Sequence, residues 1–532
     1  MRSAVGILCL QAEEDVNVSA SSCRHIGILL GAAIGLAATG SDARAGDLGR
    51  QVETYRRAHE TEIVGELAEL VRIKSTAADP AGLAAAADRL LTSLKSRGFH
   101  AAELLAAGAA PPIVFGEFKT SGAKRTVVFY AHYDGQPVTP SQWSSDPFMP
   151  VMRSGFPNLR PQDIDWNSTR PPFDPQWRLY GRAAADDKAS IIAFLAAFDA
   201  IRSSGKKPSV NIKVAWEGEE ESGSPHLAEV LRRNQALLKS DLWLIGDAPV
   251  HQSRRQMIYF GARGIIGLQL TVYGPIKALH DGHYGNWVPN PAVMASNLIA
   301  QMRDDDGRVL IPGFYDQVRP TTPAEQAAIR NLPPVEDALK GEFVIGRSEG
   351  DEALPAALMR PALNIRGIRS GQIGEAAANA IPTEAVIAAD IRLVPEQMPQ
   401  GVRTAVENFL KSRGWTLVTD EPDAAMRLAN RRIVRLQWEP GYPGLRSDMS
   451  SPAAKAVIAA AGRAAHEPVA VLPMMGGSVP LYVFEESFGV PVIGLPIVNH
   501  DDNQHAANEN LRLQNLWDGI HLYAAMMGSL DW

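Results

Sequence analysis

The strongest constraint on this chain's fold is a set of short apolar runs that each end abruptly in acidic or histidine residues. Thr126–Ala131 (TVVFYA) leads into His132 and Asp134. Val210–Trp216 (VNIKVAW) leads into Glu217 to Glu221, and Asp241–Gly246 (DLWLIG) leads into Asp247. Between the first two runs, the Ala-, Ile- and Phe-rich stretch Ala189–Ile201 starts immediately after Asp186-Asp187-Lys188 and reads as a helix. Strands alternating with helices predict a mainly parallel sheet with helices on both faces. Sites in such sheets gather beyond the carboxyl ends of the strands. The acids and histidines of this chain fall at those ends.

Before the first run, Val64, Leu67, Leu70 and Val71 recur at helical spacing, and a second helix is expected through Leu83–Leu94. Residues 154–177, rich in Pro, Asn, Asp and Arg without periodicity, read as a long surface loop. Near Met257 the character changes. Strand-like runs at Ile265–Val272 and Ala385–Leu393 bracket helices at Val293–Met302 and Val402–Ser412, which predicts an α+β insert over 255–445. The α/β pattern returns with a helix at Pro452–Ala465 and a buried-strand run, Val490–Leu495. The expected architecture is therefore α/β, a mainly parallel mixed sheet flanked by helices. It is built from 46–254 and 446–532 and interrupted by the insert.

With 532 residues, 45% hydrophobic and 21% charged, the chain can bury a large globular core. A net charge of −7 and the lack of any Lys/Arg run exclude a phosphate-binding face, so no nucleic-acid partner is expected. Arg24-His25, the apolar stretch Ile26–Ala38 and the small-residue site Ala43-Arg44-Ala45 before Gly46 fit a secretory signal. The stretch is shorter than the roughly 20 residues of a bilayer span. Cleavage near Ala45/Gly46 and a periplasmic or secreted product without a membrane anchor are expected, the alternative being an uncleaved anchor. Because two dozen residues precede Arg24, translation is expected to start downstream of Met1, near Val16 or Val18. The only cysteines, Cys9 and Cys23, precede the apolar stretch. A processed chain then has no thiolate or disulfide, and any metal must be held by histidines and carboxylates.

Each polar cluster has an ordinary reading by itself. A His near an Asp is most often a surface pair, and Asp186-Asp187 before a helix can be an N-cap. Asp247 and His505 can be loop residues. Glu219-Glu220-Glu221, however, place three carboxylates after a buried strand, where they repel one another unless a cation compensates. Taken together, two histidines and three carboxylates at element ends suit divalent ions, zinc or manganese above all. A spare carboxylate beside them is what a hydrolase needs as general base.

Eight segments resemble the aminoacylase, carnosinase and carboxypeptidase-G family of di-zinc metallopeptidases. They are FYAHYDGQPV (129–138), LYGRAAADDKA (179–189), WEGEEESGS (216–224), LIGDAP (244–249), ALHDGHYG (278–285), RLVPEQ (392–397), GGSVP (476–480) and DDNQHAANE (501–509). They come in the family's order and cover nearly all of the chain after residue 60. The HYD…QP form resembles the dipeptidase branch. The resemblance implies a zinc-exopeptidase-like catalytic domain, an inserted lid and dimerisation domain, and two divalent ions per chain, zinc with manganese or cobalt as alternates. Asp186 would bridge the ions, with His132 and Asp247 on one and Glu221 and His505 on the other. Glu220 matches the general base, which deprotonates the attacking water and passes its proton to the leaving amine. Asp134 matches the carboxylate that orients His132.

The resemblance extends to the substrate. His280 matches a histidine that, in dimeric members, reaches into the partner subunit's site and stabilises the oxyanion. Arg392 matches a lid arginine on the substrate carboxylate, whose shape suits a guanidinium fork. Gly476, Gly477 and Ser478 would cradle the same carboxylate. Departures are Ala183 and Ala189 at positions where glycine is common, Asp281 where serine is frequent, and Met474-Met475 where charged residues are common. None removes a ligand. The expected activity is hydrolysis of a peptide bond near a free C-terminal carboxylate by a homodimeric, exported dipeptidase. The nearest alternative is an N-acyl-amino-acid deacylase or desuccinylase using the same metals. A non-catalytic binding protein fits less well, because the ligand and base positions are all filled.

Overall fold

The computed structural model describes residues 39–156 and 161–532. The apolar stretch on which the export reading rests lies outside the described residues. Among the described residues no helix is long and apolar enough to cross a membrane.

The three apolar runs form neighbouring strands of an eight-stranded sheet. Thr126–His132 lies between Asn211–Glu217 and Leu242–Ile245, parallel to both, with His132 opposite Glu217 and Tyr130 opposite Ile245. Val492–Gly494 extends this parallel set beyond Leu242–Ile245. Their carboxyl ends therefore open on one edge. The sheet is mixed further out: Ile113–Phe118 runs antiparallel to Asn211–Glu217, and Met257–Tyr259 antiparallel to Val492–Gly494.

These strands are apolar at successive positions because both faces are covered. Val127, Phe129 and Ala131 enter one hydrophobic layer, while Val128 and Tyr130 enter the other. In the first layer Phe129 packs against Phe194 at 5.1 Å between ring centroids, and in the second Tyr130 packs against Phe484 at 5.1 Å. Phe194 belongs to the helix Lys188–Ser203, whose side chains are buried almost all round. Burying Ile191, Ile192, Phe194, Leu195 and Phe198 contributes at most about 15 kcal/mol against the unfolded chain. That buried helix fixes the turn just before it, which carries Asp186.

The second sheet centres on the long strand Gly261–Tyr273, flanked antiparallel by Glu384–Leu393 and Ile433–Tyr442. The helices Pro291–Met302 and Pro399–Ser412 send Leu298, Met302, Val406 and Phe409 into the core beneath it. The start of the long strand pairs elsewhere. Gly261 and Ala262 lie against Leu445–Arg446, and Ala262 and Arg263 pair parallel with Met475–Ser478 of the returning chain. One strand thus links the second sheet to the segment that re-enters the first.

The stretch 154–177 differs from the surface loop its composition suggests. Asp163–Ile164 pairs with Val151–Arg153, and Trp166 and Phe173 are only 7% and 3% exposed within the main core. The buried Glu60 carboxylate accepts the N–H of Phe173 at 2.6 Å. Isolated aromatic anchors in an irregular backbone leave no periodicity to read.

Candidate metal centre

His132 ends its strand fully buried, with Nε2 3.0 Å from Oδ1 of Asp186. Asp186 reaches it from the turn before the Lys188–Ser203 helix. The N–H groups of Ala183, Ala185 and Asp186 all donate to the buried carboxylate of Glu509 at 3.0 Å, and Arg182 donates to it at 2.7 Å. Ala183 takes φ of +60°, the left-handed region that glycine enters without strain, which gives a physical reason for glycine to be common there. The same pairing brings in the last cluster. Asn510–Arg512 lies antiparallel to Arg178–Tyr180, so His505 meets Asp186 from more than 300 residues away.

His505 Nε2 sits 3.2 Å from both Asp186 Oδ2 and Glu221 Oε2. Gln504 donates to Asp186 Oδ2 at 2.8 Å, and Gln136 donates to Glu221 Oε2 at 2.7 Å. Asp134 has its Oδ1 3.3 Å from His132 Nδ1 and accepts the N–H groups of Glu220 and Glu221 at 3.2 and 3.1 Å. One carboxylate thereby orients the histidine and the acidic turn together. Ligand atoms of His132, Asp186 and Glu221 lie within 4.8 Å of one another, as do those of His132, Glu220 and Asp247. Glu220 therefore falls among the potential ligands rather than apart from them. Asp187 occupies the N-cap position but makes no cap hydrogen bond; Ser190 donates to its Oδ1 instead.

The electrostatics fit a cation. Burial, reinforced by the charges of Asp186 and Glu221, lifts Asp247 to about 7. Burial and the neighbouring Asp247 raise Glu220 well above the carboxylate range. For Asp186, burial works against ionisation, yet hydrogen bonds from His132 and His505 outweigh it and hold the group low. Hydrogen bonds to Asp186 and Glu221 raise His505 to about 10. Acids that can be charged together only at high cost, facing imidazole nitrogens, are a donor set that divalent ions complete.

A cavity of about 550 Å³ opens from this cluster. Asp186, Glu220, Asp247 and His505 line it, as do Arg392, Gly476, Gly477 and Ser478. Arg392 stands opposite Ile265 in the second sheet, and Ser478 pairs with Arg263 two residues earlier on the same strand. That shared strand lets Arg392 Nη1 donate to Ser478 Oγ at 2.7 Å, while Nε donates to Asp390 at 2.9 Å. His280 is not brought in: it is exposed on the short strand Leu279–His280 and does not line the cavity of its own chain. Sequence reasoning left Glu509, Gln136, Gln504 and the cavity residue His251 unassigned. The first three lie inside or beside the quoted motifs, which is the only signal that marked them.

A histidine and carboxylate cluster at the strand ends of an α/β sheet, with a second α+β layer over the same cavity, defines a metal-dependent hydrolase. The model of Peptidase family M20/M25/M40 matches residues 128–529, and the chain belongs to that family. It is a metallopeptidase. The chain is 28% identical over 428 residues to Cys-Gly metallodipeptidase dug1 of Schizosaccharomyces pombe, covering 79% of this chain and 83% of the relative. It is 27% identical over 434 residues to the Beta-Ala-His dipeptidase of Rattus norvegicus, covering 79% and 80%. Its fold is similar to that of the M20 family metallo-carboxypeptidase Sso-CP2 from Sulfolobus solfataricus, with a TM-score of 0.70, 26% identity and coverage of 87% and 98%.

Proposed function

We propose that the protein is a two-metal dipeptidase that cleaves the peptide bond next to a C-terminal residue with a free carboxylate. The observation that carries this reading is the shared cavity, with the ligand cluster on one part of its wall and Arg392 and the Gly476–Ser478 strand on another. Among the described residues, Arg392 uses Nε and Nη1, leaving Nη2 for a carboxylate. The N–H groups of the Gly pair add donors, and together they fix which end of the peptide lies there.

Asp186, His132, Asp247, Glu221 and His505 would hold the ions. When bound, these would polarise the scissile carbonyl and make a water acidic enough to attack near neutral pH. Glu220 takes the proton of that water and returns it to the leaving amine. Its carboxyl, raised by burial and by Asp247, is suited to carrying a proton between the two steps. Asp134 keeps His132 and the Glu220–Glu221 turn in register.

His280 acts in a homodimer, reaching the oxyanion of the partner subunit's site from an insert spanning 255–445. Exposed apolar side chains in the same region support this: Trp287 is 80% exposed, Ile276 73% and Ile373 89%. The protein acts outside the cytoplasm after cleavage near Ala45/Gly46, as the small-x-small site behind the apolar stretch suggests.

The test is turnover by zinc- or manganese-loaded protein of unmodified dipeptides against N-acetyl and N-succinyl amino acids. Cleavage of dipeptides is expected. It should fall by at least about 100-fold in Glu220→Gln, with metal content unchanged at two per chain. Turnover of only the acylated compounds would replace this reading with a deacylase.

A further inference from the structure

The cavity has a wall that neither the metal cluster nor the carboxylate clamp uses. Its charged groups lie together: Asp186, Glu220, Asp247 and His505 at the cluster, and Arg392 at the clamp. Much of the remaining lining is apolar, from Val250, Met257, Val335, Leu354, Leu358 and Met475. Leu354 starts the short helix Leu354–Ala357, and Leu358 follows it as the C-cap.

Leu358 lies directly against the clamp, because a Cβ on Gly476 would come 3.0 and 3.2 Å from its two methyl carbons. Met475 precedes Gly476 in the same strand. A residue whose carboxylate is held by Arg392 and Gly476–Ser478 therefore has Leu358 and Met475 beside it. The titratable group among the other lining residues is His251, which is 2% exposed and has Nδ1 2.9 Å from Ser253 Oγ. Burial, helped by Arg255 and His500, lowers it below the ordinary imidazole value, so it is neutral at pH 7. This wall offers no opposite charge to an acidic or basic side chain.

We infer that the Leu354, Leu358 and Met475 wall is the pocket for the side chain of the substrate's C-terminal residue. It selects bulky apolar side chains such as Leu, Met and Phe over charged ones and over glycine. The inference rests on the dipeptidase reading above. A charged side chain would be desolvated there without a partner, and glycine would leave the wall uncontacted. One methylene in an apolar pocket changes kcat/KM by roughly 10- to 200-fold, so a preference for Ala-Leu over Ala-Gly of at least about 10-fold is expected.

The experiment measures kcat/KM of the metal-loaded full chain on Ala-Leu, Ala-Phe, Ala-Gly, Ala-Asp and Ala-Lys. Ala-Leu and Ala-Phe should lead, with Ala-Asp and Ala-Lys at least about 100-fold lower. In Leu358→Asp the Ala-Leu to Ala-Gly ratio should fall at least about tenfold, and in the milder Leu358→Ala about threefold or more. Circular dichroism and thermal melts establish that each variant is folded, and Leu358→Ala decides the matter if Leu358→Asp is not. Dipeptides cleaved without regard to the C-terminal side chain, charged ends preferred, or a ratio unmoved by the folded variant would each overturn the pocket. Failure to cleave any dipeptide would overturn the dipeptidase reading itself, and the pocket with it.

Discussion

Glu217 shows how a residue just behind the site carries a pH cost that the site imposes. Its carboxylate accepts from Tyr130 Oη at 2.6 Å in a fully buried position, and burial lifts it from 4.5 to about 7 despite that bond. Below about pH 4.5 the folded and unfolded chains both hold the proton, and stability is undiminished. Between pH 4.5 and about 7 the unfolded chain releases it while the folded chain keeps it. Stability therefore falls as pH rises, by roughly 3 kcal/mol in all. Glu217→Gln keeps an acceptor for Tyr130 and removes the titration. Its stability relative to the unsubstituted protein should rise by that amount between pH 4.5 and 7.5 in urea denaturation, and a difference constant with pH would show that Glu217 ionises normally. At this scale the ligand types were legible in the sequence, because only histidines and carboxylates remained as donors. The anchoring by Glu509 was not legible, since a lone acid near a chain end has no local pattern that reveals three N–H groups converging on it.

The strand ends and turns are the elements that bring the ligands together, and close approach decides how. A Cβ on Gly218 would fall 2.2 Å from Tyr133 Oη and 2.3 Å from the ring. Tyr133 is fully buried, and its hydroxyl donates to the carbonyl of Pro112 at 2.6 Å. Gly218→Ala must push that ring aside, and Tyr133 lies between His132 and Asp134. A stability loss of about 1–3 kcal/mol is expected, with a fall in activity because His132 moves with its neighbour. A loss under about 0.5 kcal/mol in chemical denaturation would mean that the ring has somewhere else to go. The strands and helices were readable because runs such as TVVFYA and IIAFLAAF carry their periodicity within a few residues. The stretch 154–177 misled because Trp166 and Phe173 are single anchors.

Over the whole molecule, the proposed homodimer, in which the exposed His280 serves the partner subunit's site, would make catalysis a property of two chains. Mixing His280→Ala chains with Glu220→Gln chains should restore part of the activity, since some mixed dimers hold one complete site, and no recovery would confine the reaction to one chain. Mass spectrometry of exported protein should find an N-terminus at or near Gly46, and retention of residues 24–45 would count against cleavage. The sequence by itself determined the α/β class, the strand-end placement of His132, Glu220, Glu221 and Asp247, and the change of character near Met257. Those are local properties, written in apolar spacing and in motif order. Only the tertiary structure decided that Met475–Ser478 pairs with Ala262 and Arg263, which sets Ser478 beside Arg392, and that Leu358 lies against Gly476. Such contacts join segments more than eighty residues apart, and their register comes from the packing of whole sheets, which no stretch of sequence encodes alone.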